Sequence, residues 1–181
     1  MGYCFSLVIA TSIAFMTISL DSDLQAWRAV NDGVMGGVST GRMVKVGDTL
    51  RFEGELSLEN NGGFASVRRQ VDQDLSRATS VRIHVRGDGR TYQFRIRHDE
   101  RFDGVSWRAE FTGSGDWQML DLPLDEFMPV FRGRQVPSAG PVDPSSIRQV
   151  GFLLADKQAG PFALDIRSIE FVLTEEPGSR R

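Results

Sequence analysis

Residues 37–41 read Gly-Val-Ser-Thr-Gly, the spacing with which a hydrolase presents a nucleophilic serine on a strained strand-to-helix turn. That chemistry needs Ser39 as nucleophile, a histidine base and a helix that closes the elbow. The residues that follow, RMVKVGDTLRFEGEL, alternate as a strand does, and only His84 and His98 are available as bases. Glycines placed ahead of a strand explain the pattern better. The overlapping NDGVMGG lacks the lysine and the Ser/Thr of a phosphate-cradling loop and opens no helix.

A second group of chemistry-bearing residues is cationic. In SVRIHVRGDGRTYQFRIRH a GDG turn joins two strands, with Val81, Ile83, Val85, Tyr92, Phe94 and Ile96 on one face. The opposite face then carries Arg82, His84, Arg86, Gln93, Arg95 and Arg97, and VSWRAEF adds Arg108 and Glu110 while Trp107, Ala109 and Phe111 turn inward. Arginine forks recognise carboxylates, whereas exposed ion pairs add little stability, so Arg82, His84, Arg95, Arg97 and Arg108 form a candidate partner-binding set. His84, set among cations with no nearby carboxylate, is a poor metal nucleus, and His98 opens a polar HDER loop. Asp99, Glu100, Asp103 and Glu110 would serve glycoside hydrolysis only at fixed separations that the chain order leaves unsorted. With neither a nucleophile–base pair nor a metal set complete, the expectation is no enzyme, no cofactor and no metal.

The elements that must position these groups are almost all strands. TLRFEGELSL sets Leu50, Phe52, Leu56 and Leu58 against Arg51, Glu53, Glu55 and Ser57, with Gly54 marking a bulge or close approach. Further strands follow at FASVRR, WQMLDL, QVGFLLA and PFALDIRSIEFVL, giving about ten with turn signals between them. DSDLQAW predicts a short turn capped by Ser22, with Leu24 and Trp27 facing inward, and PLDEF predicts another. Helices of that length cannot complete parallel crossovers, so a doubly wound sheet is disfavoured and the expected fold is all-β, an antiparallel sandwich or jelly roll. MPVFRGRQVPSAGPVDPSS, with four prolines and two glycines, reads as an irregular surface loop suited to binding. Trp27, Trp107 and Trp117 all alternate with neighbours in a way that favours burial over sugar stacking.

At 181 residues with a net charge of −3, the chain suits one domain and lacks the broad positive field that nucleic acid requires. Its single cysteine, Cys4, excludes an internal disulfide and any zinc cluster of ordinary spacing. Gly2 to Leu20 carry no charge, yet no basic residue precedes the run and polar residues break it, so neither an export signal nor a membrane span fits well. Met16 to Leu20 alternate as a first strand. Residues 1–14 are left as an extension, 15–174 as the domain and 175–181 as a flexible tail.

Taken together, WRAVNDGVMGGVSTG, FEGELSLENNGGFASVR, VRGDGRTYQFRIR, WQMLDLPLDEFMPVFRGR and IRQVGFLLADKQAGPFALDIRSI resemble, in that order, the complex I intermediate-associated protein family. These are the thirty-kilodalton assembly factors of NADH:ubiquinone oxidoreductase. The resemblance covers about residues 17–173 and implies a galactose-binding-like jelly roll. It also implies a non-catalytic protein that holds a protein partner, such as a respiratory-chain assembly intermediate, with any membrane association made through that partner. Lacking a basic presequence, the chain is expected to be a bacterial-type, cytoplasmic member, with an exported form left open by the apolar N-terminus. Gly33, Gly36 and Gly37 are expected to permit turns, Asn31 and Asp32 to cap local amides, and Met35 to fill a gap or touch a partner. The alternative function is a carbohydrate-binding module, which an exposed Trp107 or Trp117 beside a cleft would favour.

Overall fold

The computed structural model describes residues 13–18, 24–101 and 103–174. Expectations for residues 1–12, the Ser22 cap, Leu20 and the tail beyond 174 lie outside them.

Two antiparallel sheets stack face to face. The first orders β3 (Thr40–Val46), β4 (Thr49–Leu56), β13 (Gly160–Leu173), β6 (Ala78–Arg86) and β9 (Gln118–Pro123). A sixth strand, β1 (Ala14–Thr17), pairs with Glu170–Leu173 of β13, beyond the stretch of β13 that β4 occupies. The second sheet orders β11 (Arg134–Gln135), β10 (Met128–Phe131), β8 (Ser106–Thr112), β7 (Thr91–Arg97), β12 (Gln149–Leu154), β5 (Ala65–Gln70) and β2 (Arg28–Ala29). Among the described residues the only helical pieces are single 3-10 turns, such as Leu24–Ala26 and Leu124–Glu126. No helix among them is long and apolar enough to cross a membrane.

Period-two alternation supplies the core. Phe52, Val81, Ile83, Leu164 and Phe171 from the first sheet, and Tyr92, Phe94, Ile96 and Phe152 from the second, are fully buried between the layers. Phe52 and Phe162 meet edge-to-face at 4.8 Å, as do Phe94 and Phe152 at 5.3 Å. Each such ring contributes about 1.5–3 kcal/mol by leaving water. Gly54 lies opposite Gly41, and a Cβ there would meet the Thr40 carbonyl at 1.9 Å, so β3 and β4 approach more closely than side chains would allow.

Several expectations change, among them Leu58, which is exposed rather than inward with Leu56. Leu24 does not join Trp27 inside: Trp27 is buried against Phe152, while Leu24 is exposed on its one-turn helix. The proline-rich stretch after Phe127 is not wholly irregular, because β10 pairs with β8 and with β11, placing Val130 opposite Ser106 where it is buried. The GDG turn joins strands of different sheets, β6 and β7. Asp88 accepts from the Tyr92 hydroxyl and from the Ala163 amide at 2.8 Å, and Arg90 grips Asp156 at 2.7 and 2.9 Å. The turn is thereby pinned across the end of the sandwich, and its strands pair with other neighbours.

Candidate functional site

That crossing divides the arginine set. Arg82, His84 and Arg86 lie on the outer face of the six-stranded sheet, and Arg95, Arg97 and Arg108 on the outer face of the seven-stranded one. The two groups do not form one surface.

On the six-stranded sheet Arg42, Arg51, Arg82 and Arg86 are each met by a carboxylate. Asp165, 5% exposed, lies across the ladder from Arg51 on one side and Arg86 on the other, accepting from Arg51 at 2.6 Å and from Arg86 at 2.7 Å. Burial alone would raise its pKa, but these two guanidiniums outweigh it and hold the carboxyl below the ordinary value. Arg82 binds Asp121 at 2.8 Å, and Arg42 binds Glu53 at 2.9 Å. Trp117, half-buried on this face, lies under Arg167 at 4.1 Å and Arg86 at 5.0 Å and is met edge-on by His84 at 5.1 Å.

The seven-stranded sheet is built differently. Reading across the strands, Arg28 pairs with Arg68, Arg68 with Gly151, Gly151 with Arg95, Arg95 with Arg108, and Arg108 with Met128. One transverse row thus sets four arginines about a central glycine, and like charges placed opposite one another in a ladder repel. Arg95 donates to Gln93 Oε1 at 2.6 Å and to Ser106 Oγ at 2.6 Å, and Arg97 to the Gly104 carbonyl at 3.2 Å, all of them neutral acceptors. Arg108 binds Glu110 at 3.0 Å. Burial, reinforced by Arg108 and Arg97, pulls Arg95 down to about 10, and burial with Arg97 pulls Arg68 down to about 10. Both remain cationic at neutral pH. A cleft opens over the row between Arg68, Arg95 and Arg97, lined also by Ser66, Ser106 and Gln149. Two contacts tie down residues that follow β7: Gln149 donates to the Asp99 carbonyl at 2.8 Å, and Asp103 binds Arg132 of the β10–β11 turn at 2.5 Å.

Arg68 and Gly151 are not among the residues that spacing singled out. Alternation along FASVRR does point Arg68 outward, but the neighbour order β5–β12–β7 that brings it beside Arg95 depends on long-range pairing.

The glycine-rich stretch forms a separate structure. Asp32 is fully buried, and its carboxylate accepts from the Ser39 hydroxyl at 2.6 Å and from the amides of Ser39 at 2.9 Å, Gly63 at 2.7 Å and Phe64 at 3.3 Å. Burial raises its pKa, and these donors together lower it by more. Ser39 also accepts from the Ser57 amide at 2.9 Å, so its hydroxyl serves the loop rather than a histidine. Asn31 donates to the Gly41 carbonyl and accepts from the Ser66 amide, both at 3.1 Å. Gly36 turns left-handed at φ 90°, and a Cβ on Gly37 would lie 2.4 Å from the Asp32 carboxyl carbon; Gly33 meets no such crowding. Met35 fills no gap, being 61% exposed.

Trp107 is 5% exposed, donates to the Gly140 carbonyl at 2.9 Å and stacks on His98 at 3.8 Å. Among the described residues no group of three or more His, Cys, Asp and Glu side chains is arranged to hold a metal ion.

The fold is shared with carbohydrate-binding modules. A family 11 module from Clostridium thermocellum, solved with a β-1,3-1,4-mixed-linked tetrasaccharide, superposes with a TM-score of 0.69 at 17% identity, covering 92% of this chain and 99% of the module. A family 30 module from a C. thermocellum cellulase gives 0.58 at 17% identity, covering 90% and 99%. In sequence, the mouse mitochondrial complex I intermediate-associated protein 30 is 29% identical over 167 residues, 80% of this chain and 51% of the mouse protein. An uncharacterized Schizosaccharomyces pombe protein is 27% identical over 177 residues, 84% of this chain and 80% of that one. The chain therefore spans about half the length of its mouse relative. Residues 16–166 match the profile described as Complex I intermediate-associated protein 30 (CIA30), most of the chain and both sheets, and by that match the chain belongs to the complex I intermediate-associated protein 30 family.

Proposed function

We propose that this domain is a non-catalytic assembly module that holds a protein partner, an intermediate of complex I or of a related respiratory assembly, on the outer face of its seven-stranded sheet. The observation that carries the reading is the arginine cluster of that face, where Arg95 and Arg97 donate to neutral groups while Arg51 and Arg86 on the other sheet share the carboxylate of Asp165. Desolvated guanidiniums in a cleft are favourable sites for an incoming acceptor, since part of the cost of stripping water from them is already met in the free protein. Family membership supplies the class of partner, and the name of the mouse relative supplies the assembly. Of the residues singled out by sequence, Arg95, Arg97 and Arg108 belong to this face; Arg82 and His84 belong to the other.

The fold alone also accommodates sugar binding, but Trp27 and Trp107 face the core and Trp117 is covered by Arg86 and Arg167 on the opposite sheet. The aromatic platform that reading asks for is missing from the cleft among the described residues. Capture from native cells with the tagged chain and its Arg95→Ala/Arg97→Ala double variant, followed by mass spectrometry, tests the proposal. Respiratory-chain subunits recovered by the wild type and lost from the variant are expected. Equal recovery by both, or glycan-array binding in place of any subunit, overturns it.

A further inference from the structure

The two outer faces repeat one arrangement with a single substitution at its centre. On the six-stranded sheet the transverse order is Arg51, Asp165, Arg86; on the seven-stranded sheet it is Arg68, Gly151, Arg95. In the first, the chain supplies the carboxylate between the two guanidiniums. In the second the central position has no side chain, and a Cβ there would lie 2.3 Å from the Val67 carbonyl oxygen, so close packing of β12 on β5 leaves no room for a carboxylate at that position.

We propose that the cleft over Gly151 receives a carboxylate from outside: an aspartate or glutamate side chain in an acidic segment of the protein partner, which docks between Arg68, Arg95 and Arg97 as Asp165 docks between Arg51 and Arg86. The inference deepens the binding reading above and rests on it for the partner being a protein. Three features favour this occupant. The row from Arg28 to Arg108 crosses five strands, roughly 19 Å at ~4.8 Å per strand, long enough for several residues of an extended segment and for more than one acid. The chain as a whole is acidic, 24 carboxylates against 21 cations, so the clustering of arginines here is local and not a general excess. Arg95, with Arg108 beside it in the ladder and donating only to Gln93 and Ser106, is held largely out of water, and its lowered basicity, like that of Arg68, follows first from that burial; an incoming carboxylate offers a charged acceptor.

The test uses the purified full chain and a fluorescein-labelled decapeptide of alternating Glu and Ser, read by fluorescence anisotropy, with an alternating Lys and Ser peptide as control and inorganic phosphate as competitor. Saturable binding of the acidic peptide is expected, weakened about tenfold or more by Arg95→Gln and by 0.3 M salt, and unchanged by Arg42→Gln on the other sheet. Thermal unfolding of each variant confirms that it is folded. No saturable binding overturns the inference, as does equal weakening by Arg42→Gln and Arg95→Gln, or binding of phosphate alone. Its failure is separable from that of the assembly reading. Peptide binding without recovered respiratory subunits sinks the latter only, whereas subunits recovered by the wild type and lost from Arg95→Ala/Arg97→Ala, with no saturable binding of the acidic peptide, sink the former only.

Discussion

The outer faces of the two sheets solve the same electrostatic problem in opposite ways. Both hold pairs of arginines across a shared central strand, β13 in one and β12 in the other. Around Asp165 one buried carboxylate binds both neighbouring guanidiniums, and the face is structural; beside Gly151, Arg95 donates to neutral groups, and its repulsion by Arg97 and Arg108 is tolerated within a well-packed sheet. A buried guanidinium directed at neutral acceptors costs stability that a salt-bridged one recovers, and such a cost is a recurrent mark of surfaces that bind. Arginines are dense on both faces, and what separates them is the placing of the carboxylates: a buried one at the centre of the first row, and Glu110, Asp99 and Asp103 at the margins of the second.

The contrast is open to direct attack. Replacing Asp165 by leucine leaves Arg51 and Arg86 side by side with no counter-charge and should lower stability by about 3 kcal/mol in urea unfolding, toward the low end for a broken buried pair because both guanidiniums reach solvent. The same variant should alter acid sensitivity. Because the folded carboxyl of Asp165 sits below its ordinary value, its contribution is complete at neutral pH and is lost as pH falls through that lower folded value; the wild type should therefore lose more stability than Asp165→Leu between about pH 5 and pH 2, the range in which carboxylates take up protons. Arg95→Met, by contrast, should stay within about 1 kcal/mol of the wild type and shift to the stabilising side at low salt, where removal of a like charge counts most. A loss of about 3 kcal/mol there would make the second face structural as well. Smallest of all, Arg82→Gln removes an exposed pair with Asp121 and should change the unfolding free energy by less than about 0.5 kcal/mol.

Much of the sandwich can be read from alternation alone. The strands from Thr49–Leu56 to Gly160–Leu173 declare which residues face inward because burial on one side enforces a period of two. The sheet to which each strand belongs is not local information. SVRIHVR and TYQFRIR are both correct as strands, yet the GDG turn between them looks like a hairpin until Asp88 and Arg90 are seen anchoring it to residues about 70 positions away. The error divided the expected arginine surface in two. For the same reason Gly151 could not be singled out: a glycine within QVGFLLA acquires meaning only when Arg68 and Arg95 are found on either side of it. In NDGVMGGVSTG the residue types did suggest caps and turns, but not that one buried carboxylate would gather amides from β3's approach and from the segment leading into β5.

That carboxylate has a consequence for how the chain reaches its final shape. Asp32 takes donors from positions 7, 31 and 32 residues further along, so its shell is complete only after the β3–β4 hairpin has formed and β5 has come alongside. A chain stalled before that point keeps a bare charge near an unpaired strand margin, a state poorly suited to burial and open to solvent and proteases. The motif therefore ties three segments to one charge: its stabilisation is withheld from any partial assembly in which Ser39 and the amides of Gly63 and Phe64 have not all come to Asp32.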